Sequence, residues 1–157
     1  MSCYIRRTSE LSIIILMLSV VAGCNKADNS SGGRFVKTTG VQLSVNESDF
    51  TELANSYRGF SGEGELVLFA KVAETAIAEI AAESPPWDVV DWDTGNIPSE
   101  IYSNCIYLRT LSNDPFKSSK IKYVVRRRGP ASTPWHNGDA LILDPEQEKI
   151  WLISWDN

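Results

Sequence analysis

Hydrophobic and polar residues alternate in several segments of the chain, which is the pattern of strands that bury one face. Val41, Leu43 and Val45 alternate with polar neighbours and predict a half-buried strand. The segment 66–70 is apolar on both faces and predicts a central strand. Four further runs, separated by turn-rich segments, predict strands at 105–111, 121–126, 140–143 and 149–155. The last two strands are expected to form a hairpin.

Two segments place apolar residues at helical spacing instead. Residues 48–57 predict a short helix, with Phe50 and Leu53 on one face. Residues 73–83 predict a longer amphipathic helix with its glutamates towards water, ended by a proline pair that starts at Pro85. The apolar stripe of this helix consists of Ala73, Ala76, Ile77, Ile80 and Ala81.

These elements predict an α+β fold in one globular domain, residues 35–157. An antiparallel sheet, made of a C-terminal four-stranded meander and one or two N-terminal strands, is expected to pack against one or two helices. The chain is long enough for one hydrophobic core and short for two domains.

The N-terminal region has the three parts of a secretory signal. Arg6 and Arg7 precede an apolar stretch of about a dozen residues, shorter than the roughly 20 that span a bilayer. The stretch ends in Val21-Ala22-Gly23-Cys24, which resembles the lipobox of bacterial lipoproteins. A secretory signal cut without lipidation and an uncut membrane anchor are the alternatives.

The lipoprotein resemblance implies a removed signal peptide, residues 1–23, and acyl chains on Cys24 that hold the protein to a membrane. Asn25 follows the cysteine; in the enteric lipoproteins an Asp at this place favours retention in the inner membrane, so the resemblance implies the outer membrane, facing the periplasm. Residues 24–34 are polar, without an apolar period, and predict a flexible tether between the membrane and the domain.

The charge of the chain is acidic and uneven. Residues 24–157 contain 13 basic and 19 acidic side chains, a net charge of −6. This balance argues against a nucleic-acid partner, since phosphate backbones need a basic face. Residues 47–100 carry twelve acids and two bases, whereas residues 101–157 carry eight bases and six acids. An acidic and a weakly basic part of the surface are therefore expected.

Residues with catalytic or metal-binding chemistry are few. Cys105 has no intramolecular disulfide partner once the signal is lost, so it is interpreted as a buried apolar residue, with a reactive thiol or an intermolecular bridge as alternatives. The single histidine, His136, is interpreted as structural, and a pair with Cys105 is unsupported. The acidic segment 91–96 lacks the later ligands of a calcium loop. We therefore predict no catalytic residues, no metal and no cofactor.

A binding surface is the remaining possibility for this sequence. Tryptophans in acidic loops can anchor interfaces, and three consecutive arginines either protect a strand end from edge pairing or contact an anionic partner such as lipopolysaccharide head groups or an acidic protein. The candidate partner-binding residues are Trp87, Asp88, Asp91, Trp92, Asp93, Arg126, Arg127, Arg128 and Trp135.

The sequence thus favours a lipid-anchored, non-enzymatic module that binds a protein in the cell envelope, with an inhibitor or immunity protein as the more specific form. The final hairpin region, 144–155, also resembles the closing hairpins of many small bacterial proteins. The alternative is an envelope glycan-binding or glycan-hydrolysing protein, with carboxylates from Glu63, Glu65, Asp91 or Asp93 as acid and base.

Overall fold

The computed structural model describes residues 30–56, 64–111, 113–130, 132 and 136–157. Its sheet has six antiparallel strands in the order β1-β2-β6-β5-β4-β3. The strands are β1 Phe50–Asn55, β2 Gly64–Lys71, β3 Asp93–Thr94, β4 Lys122–Arg127, β5 Asn137–Asp144 and β6 Lys149–Asp156. The helices are α1 Ser31–Thr39, α2 Glu74–Ala82, α3 Ser99–Asn104 and α4 Ile106–Thr110, with a 3-10 turn at Glu47–Asp49. None of the helices within these described ranges is long and apolar enough to span a membrane.

Three long strands form the centre of the sheet. Strand β6 pairs with β2 along Gly64–Lys71 on one side and with β5, its hairpin partner, on the other. Asp144 shapes the connecting turn, because its Oδ1 accepts the backbone N–H groups of Glu146 and Gln147, each at 3.1 Å. The predicted central strand and closing hairpin are confirmed.

Helices cover both faces of this sheet. On one face α1 and α2 pack against a core that includes Phe35, Leu68 and Leu152. On the other face α3 and α4 cover a second core that includes Ile101 and Trp155. Because both faces are buried, the central strands need apolar residues at nearly every position, which explains their unbroken hydrophobic runs.

The predicted α+β class is confirmed, and so is the helix predicted at 73–83, which spans Glu74–Ala82. Ile77 is its buried residue and packs into the first core, although Ala73 of the predicted stripe is exposed. The meander contains four consecutive antiparallel strands, β3 to β6, but its first strand is Asp93–Thr94 rather than 105–111.

The strand predicted at 105–111 is wrong. Cys105 is the N-cap of α4, and Ile101, Cys105 and Leu108 are buried at helical spacing, i, i+4 and i+7. A strand would place Ile106 and Leu108 on the same face, but Ile106 is 57 % exposed whereas Leu108 is 3 % exposed. The apolar pattern of this segment was too short to distinguish the two-residue period of a strand from the 3.6-residue period of a helix.

The helix predicted at 48–57 is also wrong, because residues 50–55 form the edge strand β1. A bulge between Glu52 and Ala54 shifts the register with β2. Phe50 packs into the core that α1 and α2 cover, whereas Leu53 and Ala54 pack into the core on the other face. The apolar residues of β1 therefore lie on both faces of the sheet, and their spacing only resembles the stripe of a helix. Upstream, Val41, Leu43 and Val45 are half-buried in alternation, as predicted, but they form no strand.

The predicted tether ends earlier than Arg34. Helix α1 begins at Ser31, and its N-cap Ser30 accepts the N–H of Gly33 through Oγ at 3.0 Å. The carboxylate of Glu47 accepts the N–H groups of Ser31 and Gly32 at 2.6 and 2.9 Å. The helix start therefore depends on a residue about fifteen positions away, which no local pattern reveals. The rest of the predicted tether, and the signal region, lie outside the described residues.

Candidate functional site

A row of aligned residues crosses five strands at one end of the sheet, on the face that α1 and α2 cover. The strand register places Arg126 of β4 opposite Asp139 of β5, and Asp139 opposite Ser154 of β6. Leu66 of β2 and Asn55 of β1 continue the row. All five residues line a cleft of about 570 Å³.

Asp139 is the centre of the row and is only 2 % exposed. Its Oδ2 accepts Nε and Nη2 of Arg126 at 2.8 and 2.6 Å, and Nε of Arg128 at 3.0 Å. Its Oδ1 accepts the hydroxyl of Ser154 at 2.6 Å. Both carboxylate oxygens are thus bonded, and two guanidinium groups are held in fixed orientations.

Arg128 extends the network towards the end of the sheet. Its Nη1 lies 2.8 Å from Oδ1 of Asp156, and its Nη2 donates to the carbonyl oxygens of Gly138 and Trp155, each at 3.3 Å. Arg127 points to the opposite face of β4 because side chains alternate along a strand. The three predicted arginines therefore divide: two enter the cleft network and one does not.

Helix α1 forms the wall of the cleft with Arg34, Lys37 and Thr38. Arg34 forms an ion pair with Glu52 of β1. Lys37 is exposed, and within the described part of the chain no carboxylate lies within ion-pair distance of it. Four cationic side chains and two aspartates line the cleft, so its lining carries a charge of +2.

The loop after α2 borders this cleft through Trp87. The Trp87 Nε1–H donates to the carbonyl of Thr38 at 2.7 Å, and the guanidinium carbon of Arg126 lies 4.9 Å from the centre of the indole ring. Trp92 is fixed as well, since its Nε1–H donates to the carbonyl of Glu83 at 3.0 Å. Both predicted tryptophans are half-buried and fasten the loop to the domain.

Three of the four residues between the two tryptophans face outwards, whereas Val89 packs against the first core. Asp88 and Asp91 are exposed, and Val90 between them is 83 % exposed, more than any other large apolar side chain that the structure describes. Trp87 and Asp88 have φ angles of 66° and 58°, in the left-handed region that non-glycine residues rarely occupy. The fixed indoles thus hold a loop whose tip is an apolar side chain flanked by carboxylates.

Cys105 is completely buried, as predicted. Its thiol donates to Oε2 of Glu65 at 3.0 Å, and the N–H of Tyr107 donates to both oxygens of the same carboxylate, at 3.1 and 3.2 Å. Burial, followed by the hydrogen bond to Glu65, raises the pKa of the Cys105 thiol to about 12. The thiol therefore stays protonated at neutral pH, and its partner is Glu65 rather than the exposed His136.

Two of the carboxylates considered for glycan hydrolysis, Glu65 and Asp93, are not brought together. Glu65 lies on β2 and Asp93 on β3, which are separated by β6, β5 and β4. Four strand spacings put the two residues at least about 19 Å apart, whereas glycosidase carboxylates lie about 5–9.5 Å apart. The Glu65 carboxylate also accepts the backbone N–H of Tyr107 in the first turn of α4. Glu63 lies outside the described residues, as do Cys24 and Trp135.

The described side chains form no group of three or more His, Cys, Asp or Glu that could hold a metal ion. Comparison with protein-family models, curated proteins and solved structures finds no match for this chain.

Sequence reasoning identified Trp87 and two of the arginines but missed Arg34, Lys37, Asp139 and Ser154. The sequence offered one signal for these two residues, which is a polar residue at the edge of, or within, an apolar run. Asp139 directly precedes the run 140–143, and Ser154 interrupts the run 150–155. A buried polar residue needs partners, and two such positions on hairpin-forming strands are candidates to be each other's partners.

Proposed function

We propose that this protein is a lipid-anchored module of the bacterial cell envelope that binds a basic protein partner and catalyses no reaction. In the more specific form of this proposal, it is an inhibitor or immunity protein whose acidic loop covers a basic surface of a secreted enzyme or toxin. The observation that carries the proposal is the fixed loop at residues 87–92, with exposed Val90 between Asp88 and Asp91.

This loop has the composition of a small protein-binding surface, with an apolar centre and a polar rim. The two indole hydrogen bonds hold it before binding, which lowers the entropic cost of association. Charge defines the partner: residues 74–93 contain six acidic and no basic side chains. A surface of this kind is complementary to a basic protein and would speed its diffusional encounter.

Val90→Ser tests the loop surface. The full-length protein is expected to co-purify with one stoichiometric envelope protein, and the substitution is expected to weaken that complex about tenfold in Kd, as for a moderate hot spot. The folded state should be unaffected, because the side chain is almost fully exposed. Ile106→Ser is the matched control, since it removes another exposed apolar side chain elsewhere. Equal affinities for the two variants, or no stoichiometric partner, would contradict the proposal.

Cys24→Ser tests the anchor. Acyl chains contribute about 0.8 kcal/mol per buried methylene, so their loss is expected to move most of the protein from the membrane fraction to the soluble periplasmic or unprocessed pool. Cell fractionation and intact-mass measurement follow the two effects. Cys3→Ser, within the predicted signal, should leave both the lipid mass and the membrane association unchanged. A membrane-associated Cys24→Ser protein with the same mass increment as the parent would exclude lipidation at Cys24.

A further inference from the structure

The cationic cleft lies beside the acidic loop but has the wrong charge for a basic partner. The whole chain has a net charge of −5, whereas the cleft lining carries +2 from Arg34, Lys37, Arg126 and Arg128 against Asp139 and Asp156. A cationic concavity in an acidic protein attracts small anions in preference to the surface around it.

The polar row at the floor of this cleft is not needed to close the core. The next aligned row towards the middle of the sheet is apolar, with Val124, Leu141 and Leu152 side by side. Well-packed apolar residues commonly stabilise a fold as well as a buried ion network does, because desolvating charges is costly. A buried carboxylate that orients two arginines is therefore better explained by what those arginines bind.

Several donors remain available for a ligand. Arg126 directs Nε and Nη2 to Asp139, so its Nη1 edge is the part left to face a ligand. Arg34 lines the wall with a side chain that is 30 % exposed, although its Nη2 is paired with Glu52. Lys37 adds an exposed ammonium group on the wall. The cleft thus combines guanidinium groups with one mobile point charge, the usual set for phosphate groups.

We propose that the cleft binds a phosphomonoester, either on a small soluble molecule such as a sugar phosphate or on a lipid head group. A phosphomonoester carries about −1.5 to −2 charges at neutral pH. The cleft lining carries +2, or +1 when Glu52, the ion-pair partner of Arg34, is included, so either count leaves a net positive charge to attract this anion. A cleft of about 570 Å³ has the size of a small-molecule site. Thr38 and Asn55 line it as well, and their neutral polar side chains suit the hydroxyl groups of a sugar.

This proposal goes beyond the proposed function and depends on different residues, so each can fail separately. The probes are inorganic phosphate, glucose 1-phosphate and acetate, titrated calorimetrically into the full-length Cys24→Ser protein. Vesicles of equimolar phosphatidylcholine and phosphatidic acid are compared with vesicles in which phosphatidylglycerol, a diester, replaces phosphatidic acid. Tighter binding of glucose 1-phosphate supports a soluble ligand, and preference for phosphatidic acid supports a lipid head group. No saturable binding of any phosphate probe, or acetate bound as tightly, overturns the proposal.

Lys37→Gln identifies the site of binding. Losing this cation is expected to weaken phosphomonoester binding about tenfold, while Lys37→Arg retains most of it. Lys117→Gln is the matched control, because it removes the same charge from an exposed loop residue outside the cleft. Lys37 has no ion pair to lose in the described structure, so the fold should survive, which circular dichroism checks. Equal affinities for Lys37→Gln and Lys117→Gln would place the phosphate elsewhere and overturn the proposal.

Discussion

Replacing Asp139 with alanine is expected to lower the free energy of unfolding by about 3 kcal/mol. The substitution leaves Arg126 and Arg128 side by side without their shared anion, and it removes the acceptor of the buried Ser154 hydroxyl. Removing one partner of a buried ion pair commonly costs about 3–5 kcal/mol. The lower end applies here because the two arginine side chains are 37 % and 33 % exposed, and water partly replaces the carboxylate.

Urea denaturation of the full-length chain measures this loss. Asp139→Asn is the matched control, since the amide keeps the shape and one acceptor oxygen but not the charge. It should lose less than Asp139→Ala, and the difference separates packing and hydrogen bonding from the ionic interaction. If Asp139→Ala lowers the free energy of unfolding by less than about 1 kcal/mol, the network contributes no more than a surface ion pair, and the prediction is wrong.

Replacing Gly138 with alanine is expected to destabilise the fold by about 2–3 kcal/mol, although it adds a single methyl group. A Cβ atom at this position would lie 2.5 Å from Cζ2 of Trp155 and 2.9 Å from the carbonyl oxygen of Arg126. Trp155 is completely buried in the second core, and the carbonyl belongs to the neighbouring strand. Neither group can move away without disturbing the sheet or its packing.

The double variant Gly138→Ala with Trp155→Phe tests this steric explanation. Phenylalanine lacks the indole ring atoms that the new methyl group would meet, so the two losses should fall short of additivity by about 1 kcal/mol or more. Gly40→Ala is the contrasting control: Gly40 has a φ of 76° and no atom within 4 Å of the added Cβ, so only backbone strain of about 1 kcal/mol is expected. Additive losses in the double variant would show that the clash with Trp155 is not the cause.

The two variants concern the same end of the sheet, where the strand residues 138 and 139 meet β4 and β6. Gly138 allows the Trp155 ring to approach the backbone on one face of the sheet. On the other face, Asp139 accepts hydrogen bonds from Arg126 and Arg128. The second core and the floor of the cleft are thus fixed by consecutive residues of β5. Arg126 lies on β4, and Arg128 directly after it keeps a backbone hydrogen bond to Asn137 of β5, which favours a pre-formed binding site.

A helix or strand could be predicted from the sequence where its pattern of apolar residues matched the faces that are buried in the fold. The runs 66–70, 140–143 and 149–155 are apolar because both faces of their strands are buried, and the stripe within 73–83 has a helical period. The α+β class followed from these segments. Trp87, Arg126 and Arg128 were predicted as candidate binding residues, but their mutual contacts were not.

Tertiary structure alone decided the remaining elements and the cleft. Apolar residues of β1 pack on both faces of the sheet, which gave that strand a helix-like spacing, and residues 106–110 form a helix that packs on the sheet. Asp139 lies 13 residues from Arg126 and 15 from Ser154, and the antiparallel register alone makes them neighbours. Local patterns report how each residue is buried along its own segment, whereas a polar network depends on which strands pair and in what register. The sequence by itself therefore determined the α+β class, the central strands and helix α2, whereas strand pairing decided which charged residues lie side by side.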